Sequence, residues 1–135
     1  MIVDEYENVV LDRKYGASVS DCASRLTALG RASCTNICVA TQHPTVKVLS
    51  SRMKANMTLR IALKVTSRIN SRVILDCGGA EAQLHERGEM LIKEPFESSL
   101  KKIKGLYYTD REIQDAIGRS VARFEGRQYF LNRIC

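Results

Sequence analysis

Short apolar runs alternate with amphipathic segments along all 135 residues, and this alternation restricts the fold more than any other feature. Continuous or period-two apolar runs form strands, 3.6-residue periodicity forms helices, and a chain that interleaves them folds as α/β. The length suits one domain with a real core. No apolar run approaches the roughly 20 residues that span a bilayer, and no signal-peptide pattern opens the chain. A cytoplasmic protein without a membrane segment is therefore expected.

"MIVDE" runs three apolar residues straight into Asp4 and Glu5, as in a strand that ends in adjacent carboxylates. A polar stretch, Tyr6 to Ala17, follows. Ser18 and Asp21 have capping-box spacing, and Val19, Cys22, Ala23, Leu26 and Leu29 recur at helical spacing, with Gly30 weakening the helix end. Ile37 to Ala40 reads as a fully buried strand of a parallel sheet. Pro44 marks a loop, and a short helix is expected over Val48 to Ala55. In "TLRIALKVT", Leu59, Ile61, Leu63 and Val65 alternate with Arg60, Ala62 and Lys64, giving one apolar and one partly basic face. Further strands are expected at Glu89 to Ile92 and Ile103 to Tyr108. Thr109 and Glu112 form a second capping box, before a helix whose stripe of Ile113, Ala116, Ile117, Val121 and Phe124 reads as core.

Twenty-one Lys and Arg against 15 Asp and Glu leave a net charge of +6. That balance favours a polyanionic partner such as nucleic acid, with a basic surface kept for solubility as the alternative. The five cysteines have no regular framework. Cys34 and Cys38 lie four apart, but His43 and His85 do not complete a zinc set, so buried thiols in a reducing compartment are expected.

Three constellations carry chemistry. Asp4-Glu5 at a strand end can hold hydrated magnesium and orient an attacking water. "VATQHP" delivers Thr41 and Gln42 to the carboxyl end of the next buried strand, the edge where open α/β sheets place ligands. "KVTSRINSRVILDCGGAEAQL" sets Arg68 and Arg72 four apart, able to meet phosphate from one side of a helical turn, ahead of the Gly78-Gly79 pair. Taken singly, each has an ordinary structural explanation.

In this order, the blocks "ATQHP", "KAN", "LRIALKV", "SRINSRVILD", "GGAE" and "RGEML" resemble the motor domain of the FtsK/SpoIIIE family of DNA translocases, over roughly residues 1 to 120. The resemblance implies a RecA-like P-loop NTPase fold, a mostly parallel sheet flanked by helices, that uses ATP and Mg2+. It also implies a homo-oligomeric, usually hexameric, ring that pumps double-stranded DNA. "MIVDE" is then the Walker B strand, with Asp4 on the magnesium-bound water and Glu5 polarising the attacking water. Gln42 is the sensor of the γ-phosphate. Arg31, in "LGRASC", and Arg68 are the residues that reach a neighbouring subunit's site. His43, Lys54 and Arg72 fall where the family contacts DNA; the family has Arg where His43 stands, and Gly in the region of Cys34-Thr35-Asn36.

Nothing in the chain matches G-x-x-x-x-G-K-[ST], the loop that cradles phosphates. Residues 1 to 125 are therefore expected to be the carboxyl-terminal part of such an ATPase domain, without the Walker A half, and 126 to 135 a tail. Two other classes fit less well: a type VII secretion ATPase, which handles protein substrates, and a non-catalytic basic module that binds DNA or joins a ring.

Overall fold

The computed structural model describes residues 1–30 and 35–125. In order, the elements are β1 (Ile2–Val3), α1 (Tyr6–Val10), α2 (Gly16–Leu29), β2 (Cys38–Val39), α3 (Ser51–Asn56), β3 (Arg60–Ala62), α4 (Arg68–Leu75), β4 (Glu89–Lys93), β5 (Lys101–Lys104) and α5 (Asp110–Glu125). The chain divides into two compact units, Met1–Gly105 and the part from Leu106 onward.

β1 and β2 pair in parallel, with Ile2 opposite Cys38 and Val3 opposite Val39. A second, three-stranded sheet has the order β3-β4-β5 and is antiparallel throughout. The α/β class holds, but among the described residues parallel pairing is confined to the first two strands. β4 and β5 are joined by a short connection, which can close an antiparallel ladder but not the crossover that a parallel one needs.

Each sheet has its own core. Tyr6, Val10, Val48 and Met53 pack beneath the first; Ala62, Leu75, Ala80, Leu84 and Leu91 pack beneath the second. α2 begins two residues before Ser18, so the Ser18–Asp21 box does not form. The Asp12 Oδ1 atom accepts from the Lys14 and Tyr15 N–H groups, both at 2.8 Å, and this turn starts the helix instead. Gly16 permits it, because a Cβ there would lie 2.1 Å from the Val10 carbonyl oxygen. The supposedly polar stretch contains α1, whose Tyr6 and Val10 belong to the core.

Burial corrects two expectations and decides which face of β3 is covered. Ile37 to Ala40 is not fully buried: Cys38 is open, and its partner Ile2 is 80% exposed, because nothing among the described residues covers that side. Cys22, Cys38 and Cys77 are exposed free thiols rather than buried ones, placed on a helix surface, a strand face and a turn; Cys34 and Cys135 lie outside the described residues. In β3 the apolar set faces outward, with Ile61 49% exposed, while Ala62 is 1% exposed opposite Leu91.

That inversion is possible because Arg60 has partners inside. Its Nη1 donates to Asp76 Oδ2 at 2.6 Å and to the Ile74 carbonyl at 3.1 Å. Lys54 Nζ donates to Asp76 Oδ1 at 2.9 Å and the Val73 carbonyl at 3.0 Å. Lys93 Nζ donates to Asp76 Oδ2 at 3.1 Å and the Leu75 carbonyl at 2.9 Å. The last turn of α4 thus has three successive carbonyls capped by cations, where the helix dipole favours positive charge. Asp76, in the left-handed region at φ 63°, ends the helix and balances them. Burial raises its pKa, but the donors from Lys54, Arg60 and Lys93 outweigh that and hold the carboxyl well below the usual carboxylate range. At the other end, the Ser67 Oγ accepts from the Asn70 N–H at 3.2 Å and caps α4.

In β4, Glu89 is held at about 2 by Lys102 and by the His85 and Glu86 N–H groups. The second capping box forms as read: Glu112 N–H donates to Thr109 Oγ1 at 3.3 Å, and Thr109 N–H to Glu112 Oε2 at 2.8 Å. The stripe of α5 is not core here, since Ile113, Ile117 and Val121 are exposed. No helix among the described residues is long and apolar enough to cross a membrane.

Asp76→Asn keeps a residue that tolerates the left-handed region and removes only the charge. It is expected to lower unfolding free energy by about 1–2 kcal/mol in urea titrations at pH 7, the half-exposed position screening the rest. Because the folded pKa of Asp76 is depressed, its contribution is complete above the ordinary carboxylate range and is lost as pH falls through and below it. The variant's stability should accordingly fall less steeply with acid than that of the parent chain.

Candidate nucleotide site

Parallel pairing puts the carboxyl ends of β1 and β2 side by side, so Asp4-Glu5 and Thr41-Gln42 emerge together. The Tyr6 N–H donates to the Ala40 carbonyl at 3.0 Å, continuing the pairing past the strands. Glu5 lies in the left-handed region, at φ 47° and ψ 44°, immediately before α1. A non-glycine residue there carries strain of order 1–3 kcal/mol, which is held by surrounding contacts and concentrates at functional positions. Asn8 Nδ2 donates to Glu5 Oε2 at 2.8 Å, and Gln42 Nε2 to Glu5 Oε1 at 3.4 Å. Asp4 is exposed and accepts from the Glu5 N–H at 2.9 Å through Oδ1.

Glu7, which the sequence did not single out, is part of the same end. It is buried, and its Oε1 accepts from the Gln42 backbone N–H at 3.1 Å. The Thr41 hydroxyl, whose oxygen accepts from the His43 N–H, is the main influence holding the Glu7 carboxyl below its usual pKa. Nothing in the spacing marks Glu7, because its placement against β2 follows from the strand pairing.

Among the described residues no cluster of three or more His, Cys, Asp or Glu side chains forms a metal cage. An exposed carboxylate such as that of Asp4 is nevertheless of the kind magnesium takes, since that ion takes one or two carboxylates and leaves its other positions to water and phosphate.

The remaining candidates lie elsewhere. Arg31 lies outside the described residues. Arg68 opens α4 and rests over the glycine pair: a Cβ on Gly78 would come 3.0 Å from its Nε and 3.2 Å from Glu81 Oε1. Gly79 has φ +140°, and its N–H donates to Glu81 Oε2 at 2.9 Å, the largest reason for the lowered Glu81 pKa. The buried Ser71 Oγ donates to the Cys77 carbonyl at 2.9 Å and accepts from the Ala80 N–H at 3.2 Å, tying "GGAE" to α4. His43 is exposed just beyond Gln42. Lys54 and Arg72 line one groove of about 300 Å³ between α3 and α4, with Val46, Leu49 and Ile69. Lys54 enters it already paired with Asp76.

No family model matches the chain. Among curated proteins it is 37% identical over 123 residues to the DNA translocase FtsK of Listeria monocytogenes, covering 91% of this chain and 16% of that protein. It is 35% identical over 134 residues to the Haemophilus ducreyi FtsK, covering 99% and 14%. Against the Haemophilus influenzae FtsK it is 40% identical over 113 residues, covering 84% and 21%. The chain thus spans between about a seventh and a fifth of these relatives. Among solved structures, the pCW3 conjugation coupling protein TcpA with ATPγS matches with a TM-score of 0.78 at 21% identity, over 92% of this chain and 36% of that one. The cytoplasmic domain of the Thermomonospora curvata type VII secretion ATPase EccC matches at 0.71 and 23%, over 90% and 14%. At these identities the two structures show a shared fold, of which this chain is a part.

The glycine pair separates two constraints. Gly79→Ala should destabilise the chain by about 1–3 kcal/mol in chemical unfolding, since its backbone is one that side chains rarely adopt. Gly78→Ala should cost less than Gly79→Ala, because the flexible Arg68 side chain can move off the new methyl; Arg68 side-chain NMR signals should then shift in Gly78→Ala.

Proposed function

Because the chain belongs to the FtsK/SpoIIIE family and matches the carboxyl-terminal part of its members, we propose that it supplies the Walker B and sensor half of a nucleotide site in an ATP-driven, double-stranded DNA translocase. The observation that carries this reading is the meeting of Glu5 and Gln42 across two parallel strand ends, 3.4 Å apart. Glu5, aimed by its left-handed backbone and by Asn8, accepts a proton-side hydrogen bond from the attacking water and orients it. Gln42 would sense the γ-phosphate from the adjacent strand end, and Asp4 would hold hydrated magnesium, which when bound would supply charge neutralisation at the phosphates. Catalysis here is positioning and electrostatics, so a half-site acts only when the phosphate-binding loop is supplied beside it. That loop comes from elsewhere in the motor, as do the contacts by which Arg31 and Arg68 serve a neighbouring subunit in a hexameric ring.

The α3–α4 groove, with Lys54 and Arg72, and the loop at His43 are proposed to face the DNA backbone. The net charge of +6 supports a phosphate partner. Chromosome segregation and conjugative transfer both fit such a motor. A protein-handling secretion ATPase shares the fold, but the sequence relatives at 35–40% identity are DNA translocases.

The test is to graft the chain in place of the corresponding segment of the Listeria monocytogenes translocase. The graft is expected to hydrolyse ATP in the presence of DNA, and Glu5→Gln to reduce turnover about 100-fold or more while ATP still binds. The 135-residue chain alone is expected to show no turnover. Turnover by the pure chain that Glu5→Gln abolishes, or a graft indifferent to Glu5→Gln, would refute the assignment.

A further inference from the structure

Of the three carboxylates at the β1–β2 end, Asp4 and Glu5 are open, whereas Glu7 is 4% exposed. Its Oε2 is buried without a hydrogen bond of ordinary geometry. A buried carboxylate is costly to desolvate even where hydrogen bonds hold its charge, and for stability alone an apolar side chain of that size would serve as well. What Glu7 does hold is specific. Its Oε1 accepts from the backbone N–H of Gln42 at 3.1 Å, while Glu5, two residues earlier, accepts from the carboxamide of the same Gln42 at 3.4 Å. Gln42 is therefore gripped at main chain and side chain by one helical turn, and that turn is locked to β2 by the Tyr6 N–H on the Ala40 carbonyl.

We infer, on the nucleotide-site reading above, that Glu7 is a positioning residue that fixes the main chain at Gln42 so that its carboxamide rests on Glu5. The margin is small. At 3.4 Å the Gln42–Glu5 bond is already near the limit of hydrogen-bond length, so a shift of a few tenths of an ångström in the 41–43 loop breaks it. Glu7 sets the placement without touching the reacting atoms.

Two measurements test this. In 15N NMR spectra of the full chain, Glu7→Ala should move the Gln42 backbone amide proton upfield and shift its side-chain NH2 signals toward those of a free glutamine. Glu7→Gln, which keeps the Oε1 acceptor, should leave both near the parent positions. In the grafted motor, Glu7→Ala should lower kcat roughly ten- to a hundredfold with KM for ATP unchanged, and Glu7→Gln should restore most of it. Should Glu7→Ala fail to fold, Glu7→Met fills the space without an acceptor and carries the same expectation. Unchanged Gln42 signals on loss of the acceptor overturn the inference, whatever the graft does. A graft that hydrolyses no ATP removes the nucleotide-site reading, and the Gln42 signals then decide the role of Glu7 by themselves.

Discussion

The carboxyl end of α4 organises the larger unit. Helix ends leave carbonyls without partners, and here Lys54 from α3, Arg60 from β3 and Lys93 from β4 each satisfy one of them while sharing Asp76. Four elements are thereby tied at one point. Alone, the three cations would repel one another; alone, Asp76 would be a left-handed residue with a desolvated carboxylate. Together they let β3 turn a charged side chain inward, and this choice of face sends Ile61 and its apolar neighbours to the surface.

The opposite end of the unit uses other means. Two short parallel strands are too little sheet to be stable by themselves, and they are held by Tyr6, Val10, Val48 and Met53 beneath and by hydrogen bonds past the strand ends. Glu5 carries the backbone strain and Glu7 the buried charge. Both features cost stability, and both converge on Gln42. Two features that cost stability are thus kept around one side chain, which is the pattern the proposed nucleotide site would require.

Much of this was legible beforehand. The existence of most elements followed from periodicity, the Thr109–Glu112 box formed as its spacing requires, and the ordered blocks from "MIVDE" to "RGEML" identified the family that the curated relatives then showed. Asp4, Glu5 and Gln42 were grouped by the resemblance, and the parallel pairing of β1 with β2 places Glu5 and Gln42 within reach of each other. The errors have particular causes. Ser18 lost to Asp12 because the close approach at Gly16 moved the helix start, and the covered face of β3 stayed open because alternation says that two faces differ, not which is covered. The pairing of Lys54 with Asp76 could not be read from the sequence, because the two lie 22 positions apart.

The sequence by itself determined the α/β class and the family, because these depend on local periodicity and on residue order. Tertiary structure alone decided that the second sheet is antiparallel, that Arg60 is inside and Ile61 outside, that Lys54 and Arg72 share a groove, and that Glu7 holds Gln42. Each of these depends on pairing between residues distant in the chain, where burial and charge compensation are settled together and no local pattern records the outcome.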